Sequence, residues 1–110
     1  MAYTLFMVFI ETSIFTKIIS KLIDDDNYAE LQNSLALNPE QGDLIQNSGG
    51  LRKMRWKQQY KGKRGGIRVI YYLRVQQEQI IFIFAYVKNK AENLTSKQLQ
   101  TLKSIVEEWK

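Results

Sequence analysis

The stretch Gly49–Tyr72, GGLRKMRWKQQYKGKRGGIRVIYY, decides how this chain is read. In Leu51–Gln58 the positions Lys53, Arg55 and Lys57 share one face, and Met54 and Trp56 share the other. In Ile67–Arg74, Ile67, Val69, Tyr71 and Leu73 face one way, and Arg68, Ile70, Tyr72 and Arg74 the other. Such alternation marks strands, because successive side chains leave a pleated backbone on opposite sides. Between them Tyr60–Gly66 is polar and glycine-rich and reads as a loop. The stretch holds five of the six glycines and eight of the sixteen Lys/Arg residues. No acid lies between Asp43 and Glu78, so Leu44–Gln77, with Arg74 included, carries +9 and the remainder −4 of the net +5. Charge separated in this way speaks of a polyanionic partner rather than of fold.

Working outward, 110 residues suffice for one domain, 1–110, with a single core. Hydrophobic residues at 45% with 25% charged argue against disorder. The chain has no cysteine, which excludes disulfides, thiolate metal sites and cysteine nucleophiles. It has no histidine either, which removes the usual general base near neutral pH. Met1–Ile10 is apolar but lacks a basic n-region and a small-residue cleavage site. No apolar run approaches the roughly 20 residues that span a bilayer. A small, soluble, basic protein is expected, and a cytoplasmic location fits.

Before the stretch, Tyr3–Ile10 reads as a strand, rich in β-branched and aromatic residues. Thr12 or Ser13 can cap a helix with Ile14, Phe15, Ile18, Ile19, Leu22 and Ile23 on one stripe. Asp24–Asp26 break it and can cap a second helix carrying Tyr28, Leu31 and Leu35, which stops before Pro39. These adjacent carboxylates read as caps and not as a metal site. Asn38–Gly50 is expected to be a loop. After the stretch, a turn near Gln76–Gln79 leads to Ile80–Val87, apolar on both faces and so central in the sheet. Thr95-Ser-Lys-Gln98 matches a capping box for a last helix bearing Leu99, Leu102, Ile105, Val106 and Trp109. The fold class is α+β in the order β-α-α-β-β-β-α, a helical hairpin covering a sheet. Trp56, Tyr71 and Tyr72 are expected to pack, although a tryptophan can also stack a base.

Three runs together resemble a known family: Asn38-Pro-Glu-x-Gly-Asp-Leu-Ile-Gln46, Gly49-Gly-Leu-Arg-Lys-Met-Arg55 and Lys61-Gly-Lys-Arg-Gly-Gly-Ile-Arg-Val-Ile-Tyr-Tyr72. With Tyr86-x-Lys-Asn-Lys90 and Leu94-Thr95, they are similar to the HigB-like branch of the RelE superfamily, toxins of bacterial type II toxin–antitoxin systems. The resemblance covers essentially the whole chain. It implies a largely antiparallel sheet partly covered by helices, and a ribosome-dependent endoribonuclease acting on mRNA without a cofactor or metal. It also implies contact with ribosomal RNA and a cognate antitoxin, often with a helix-turn-helix domain.

RNA supplies its own nucleophile, the 2′-OH. The protein must then hold the backbone, move protons and meet the charge of the transition state, and Arg and Lys suit the first and last tasks. By resemblance, the catalytic residues are Arg64, Arg68, Tyr86 and Lys88. Those binding RNA are Arg52, Lys53, Arg55, Lys57, Lys61, Lys63 and Lys90. Relatives often carry an arginine where this chain has Asn89, and a terminal aromatic or histidine, whereas the final helix here has no Tyr or His. The proton carrier is left open among Lys, Tyr and a carboxylate. Two other readings stand beside the ribonuclease: a ParE-like gyrase poison of the same fold, and a nucleic-acid-binding module without catalysis.

Overall fold

The alternating segments of the basic stretch become adjacent strands of one five-stranded sheet. The structure, a computed structural model, describes residues 7–58, 62–88 and 94–110, with the backbone alone for 62–65. In chain order the elements are β1 (Val8–Glu11), α1 (Ser13–Leu22), α2 (Asp25–Leu37), β2 (Asp43–Leu44), β3 (Leu51–Gln58), β4 (Gly62–Arg74), β5 (Gln79–Val87) and α3 (Ser96–Glu107). The sheet order is β1-β5-β4-β3-β2. β1 runs parallel to β5, and the other neighbours are antiparallel. β5 is interior, as its two apolar faces require. The fold is α+β.

Capping sets the helix boundaries. The Thr12 hydroxyl accepts from the Phe15 N–H at 3.0 Å, and an Asp24 carboxylate oxygen accepts from the Asn27 N–H at 2.8 Å. Thr95 and Gln98 close both bonds of the capping box, at 3.1 and 2.9 Å. Each satisfies an amide that has no partner within its own helix. α2 ends at Leu37, with Asn38 as its cap ahead of Pro39.

The two faces of the sheet carry separate cores. On one, the α1–α2 hairpin buries Phe15, Ile19, Leu31 and Leu35 against Met54, Trp56, Val69, Tyr71 and Phe82. Phe15 stacks on Phe82 at 4.7 Å, and Phe9 stacks on Phe82 at 5.6 Å, locking β1, α1 and β5 together. On the other, α3 buries Leu102 and Val106 against Leu51, Ile70, Ile81 and Ile83. α3 covers only part of that second face. The half of the face beyond Ile70, toward Arg68, carries polar side chains.

Three boundaries differ from the sequence reading. Among the described residues β1 spans Val8–Glu11, and residues 3–6 of the expected strand lie outside them. The expected loop 38–50 contains β2, whose two residues pair with β3: Asp43 opposite Lys53 and Leu44 opposite Arg52. The expected loop 60–66 is shortened, because β4 already begins at Gly62, opposite Gln58. Glycine weakens a strand through entropy, yet the ladder of a hairpin outweighs that preference where β3 provides partners.

Candidate active site

Period-two geometry places Lys53 and Arg55 of β3, and Arg68 of β4, on the face that α3 leaves partly open. Arg55 lies directly opposite Arg68, and Arg68 directly opposite Tyr86 of β5. This row exists because of an irregularity in β5. Ile70 pairs with Phe84 but Tyr71 pairs with Phe82, so Ile83 is an extra residue in the ladder. Ile80 and Phe82 face the helical hairpin, whereas Ile81, Ile83, Phe84 and Tyr86 face α3. The bulge shifts the alternation by one. Without it Tyr86 would point into the hairpin core.

The row opens on a cleft of about 630 Å³ lined by Gln41, Asp43, Lys53, Arg55, Arg68 and Lys88. Arg68 is 5% exposed, and neither its Nη1 nor the Tyr86 hydroxyl has a hydrogen-bond partner among the described residues. Like charges directly opposite on neighbouring strands are destabilising, and a buried charged donor left unpaired costs more than a neutral one. Burial pushes the Tyr86 phenol above its ordinary pKa, opposed in part by the nearby Arg68 charge. Tyr86 is therefore a proton donor at neutral pH. The cleft can grip an anion around a largely buried guanidinium, and the Tyr86 phenol, its oxygen buried, stands beside that guanidinium on the next strand.

The sequence model of the family described as the RelE toxin of the RelE/RelB toxin–antitoxin system matches residues 8–110. The chain belongs to the RelE toxin family. Among solved structures it is similar to a free-state double arginine-to-alanine mutant of the E. coli toxin RelE. The TM-score is 0.59 at 11% identity, covering 89% of this chain and 94% of that one. At that identity the likeness is one of fold.

Of the residues expected to serve a RelE-family site, the structure gathers Lys53, Arg55, Arg68, Tyr86 and Lys88 on one face. Arg52 is not among them. It lies on the opposite side of β3, and its Nη1 donates to the carbonyls of Gly42 at 2.8 Å and Glu40 at 3.1 Å. Lys57 is turned to α2, where its Nζ meets a Glu30 carboxylate oxygen at 2.9 Å on the surface. Lys61 and Lys90 lie outside the described residues, as do the side chains of Lys63 and Arg64. Trp56 is buried, and its Nε1–H donates to Asn27 Oδ1 at 2.8 Å, so it packs. Tyr71 packs as well, while its hydroxyl donates to the Pro39 carbonyl at 2.7 Å and accepts from the Gly42 N–H at 2.9 Å.

Two polar cleft residues escaped the sequence reading, Gln41 and Asp43. They sit in a segment read as loop. The available signal was that Asp43 is the last acid before the long basic run.

Proposed function

We propose that this chain is the toxin of a type II toxin–antitoxin pair and an endoribonuclease that cuts translated mRNA on the ribosome. Its 2′-OH-driven cleavage yields a 2′,3′-cyclic phosphate and a 5′-hydroxyl. Lys53 and Arg55 hold the backbone, and Arg68 meets the charge that develops on the phosphoryl oxygens, where preorganised donors matter most. Tyr86 protonates the leaving 5′ oxygen, and Lys88 adds positive charge at the end of β5. In the same reading Lys61, Lys63, Arg64 and Lys90 contribute further contacts to RNA. The run Lys61–Tyr72 favours the HigB-like branch. The work is done in the cytoplasm, with ribosomal RNA providing much of the docking surface and a cognate antitoxin that carries a helix-turn-helix domain neutralising it.

The observation that supports this reading most is Arg68: buried, opposite a second arginine, beside a protonated phenol, with no acceptor for one guanidinium nitrogen among the described residues. A structural role would give that charge a carboxylate. A row of bases facing an open cleft suits a phosphodiester instead. The test is brief induction in a bacterium followed by mapping of transcript 5′ ends. New ends inside translated reading frames are expected for the wild type and not for Arg68→Ala. DNA-damage signalling without such ends would overturn the reading and favour a gyrase poison.

A further inference from the structure

The cleavage proposed above needs a group to remove the 2′-hydroxyl proton, a role given so far to no side chain. The chain has no histidine. Tyr86 holds its proton too firmly to be a base near neutral pH. One carboxylate lines the cleft among its described residues, that of Asp43. We infer that Asp43 is the general base of this active site, an inference that rests on the ribonuclease reading.

Placement comes first. Asp43 stands directly opposite Lys53 on the outer edge of the sheet, so both side chains leave the same face. Arg55 is its diagonal neighbour, about 7–8 Å away on such a ladder. Arg68 is two strands across and two residues along from Asp43, about 12 Å at the backbone, a gap that a sugar-phosphate unit and the two side chains can fill together. The charged groups sharing the cleft with Asp43 are Lys53 and Arg55 from β3, Arg68 from β4 and Lys88 after β5.

The segment carrying Asp43 is also held in place more firmly than a surface loop requires. Tyr71 bonds the Pro39 carbonyl and the Gly42 N–H from the sheet interior. Arg52 bonds the carbonyls of Glu40 and Gly42. The Gln41 amide donates to the Ser34 and Asn38 carbonyls at the end of α2, at 3.0 and 3.1 Å. Gly42 itself has no room for a side chain, since a Cβ there would lie 2.8 Å from Tyr71 Cε1. Three side chains thus orient the backbone immediately before one acid, which is the kind of support a reacting group needs. It gives Arg52 a task that the RNA-binding assignment missed.

A negative charge in a phosphate-binding cleft weakens binding, so its presence calls for another use. In the step, the O2′–H proton passes to an Asp43 carboxylate oxygen as O2′ bonds to phosphorus. The P–O5′ bond breaks, the 5′ oxygen takes the Tyr86 proton, and water restores both side chains. No other reactant is required.

The experiment uses programmed ribosomes with a defined mRNA and follows single-turnover cleavage by wild type, Asp43→Asn, Asp43→Glu and Arg68→Ala. General-base loss predicts a fall of about 10²–10⁴-fold in the saturating rate for Asp43→Asn. Its half-saturating concentration should stay level or fall, because one repulsive charge is gone. A rise of rate with pH is expected for the wild type and should flatten in Asp43→Asn, and Asp43→Glu should retain more activity than Asp43→Asn. Cleavage by Asp43→Asn at the wild-type rate would overturn the inference and leave the ribonuclease reading intact. So would a parallel loss of binding and of thermal stability, the mark of a structural role. No cleavage by wild type on ribosomes it demonstrably binds would overturn both.

Discussion

At the scale of single residues, Arg68 carries an electrostatic cost within the sheet. It is 5% exposed and stands opposite Arg55, with one guanidinium nitrogen unpartnered among the described residues. Replacing buried ionic groups by apolar ones of similar volume is often neutral or stabilising. Arg68→Met is therefore expected to melt at or above the wild-type temperature while losing mRNA cleavage, checked by calorimetry beside the 5′-end assay. A marked drop in melting temperature would mean that the arginine holds the fold instead. Arg68 was legible in the sequence because its neighbours Ile67 and Val69 fix the phase of β4. Asp43 was not, because a two-residue strand has too short a pattern to reveal its face.

At the scale of elements, the hairpin and the sheet share a buried polar contact within an apolar layer. The Asn27 side chain accepts from Trp56 Nε1 at 2.8 Å and donates to the Lys57 carbonyl at 3.3 Å. Asn27→Ala would leave the buried indole N–H unpaired, costing about 2 kcal/mol, or about 10 °C in a domain of this size. Thermal denaturation checks it, and an unchanged midpoint would show that α2 adjusts to restore the bond. The helices themselves were readable from local chemistry: Thr12, Asp24 and Thr95 cap where the sequence places them. The β5 bulge was not readable. Ile80–Val87 is apolar throughout, so a slip at Ile83 leaves no trace in hydrophobic pattern.

For the molecule as a whole, tyrosines make stability depend on alkaline pH. Burial raises the Tyr28 pKa far above the ordinary 10.0, helped by its hydrogen bond to Glu11, and burial also raises that of Tyr71. The folded chain keeps these protons when the unfolded chain, with pKa near 10, has lost them. The unfolded state then binds fewer protons, so stability falls as pH rises. Stability from this source is fully present below about pH 10 and is lost above it. Denaturant midpoints measured across that range should decline for the wild type and decline less steeply for Tyr28→Phe. Equal slopes would assign the alkaline loss to other groups. On the same scale, no helix among the described residues is long and apolar enough to cross a membrane.

The order of elements, the capped helices, the faces of β3 and β4 and the charge separation all follow from the amino-acid sequence alone. Each is set by neighbours one to four residues apart, through strand alternation, helical spacing or a cap. Tertiary structure decided what depends on distant partners. It put Tyr86 on the same face as Arg68 through a bulge that only β4 can register. It withdrew Lys57 from the basic face by offering it Glu30, and it engaged Arg52 with loop carbonyls on the other face. It also carried Asp43 into the cleft, because β2 exists only where β3 is there to pair with it. The basic stretch Gly49–Tyr72 declares an anion-binding face. The acid that completes the proposed chemistry lies just outside it, and pairing across the sheet is what brings the two together.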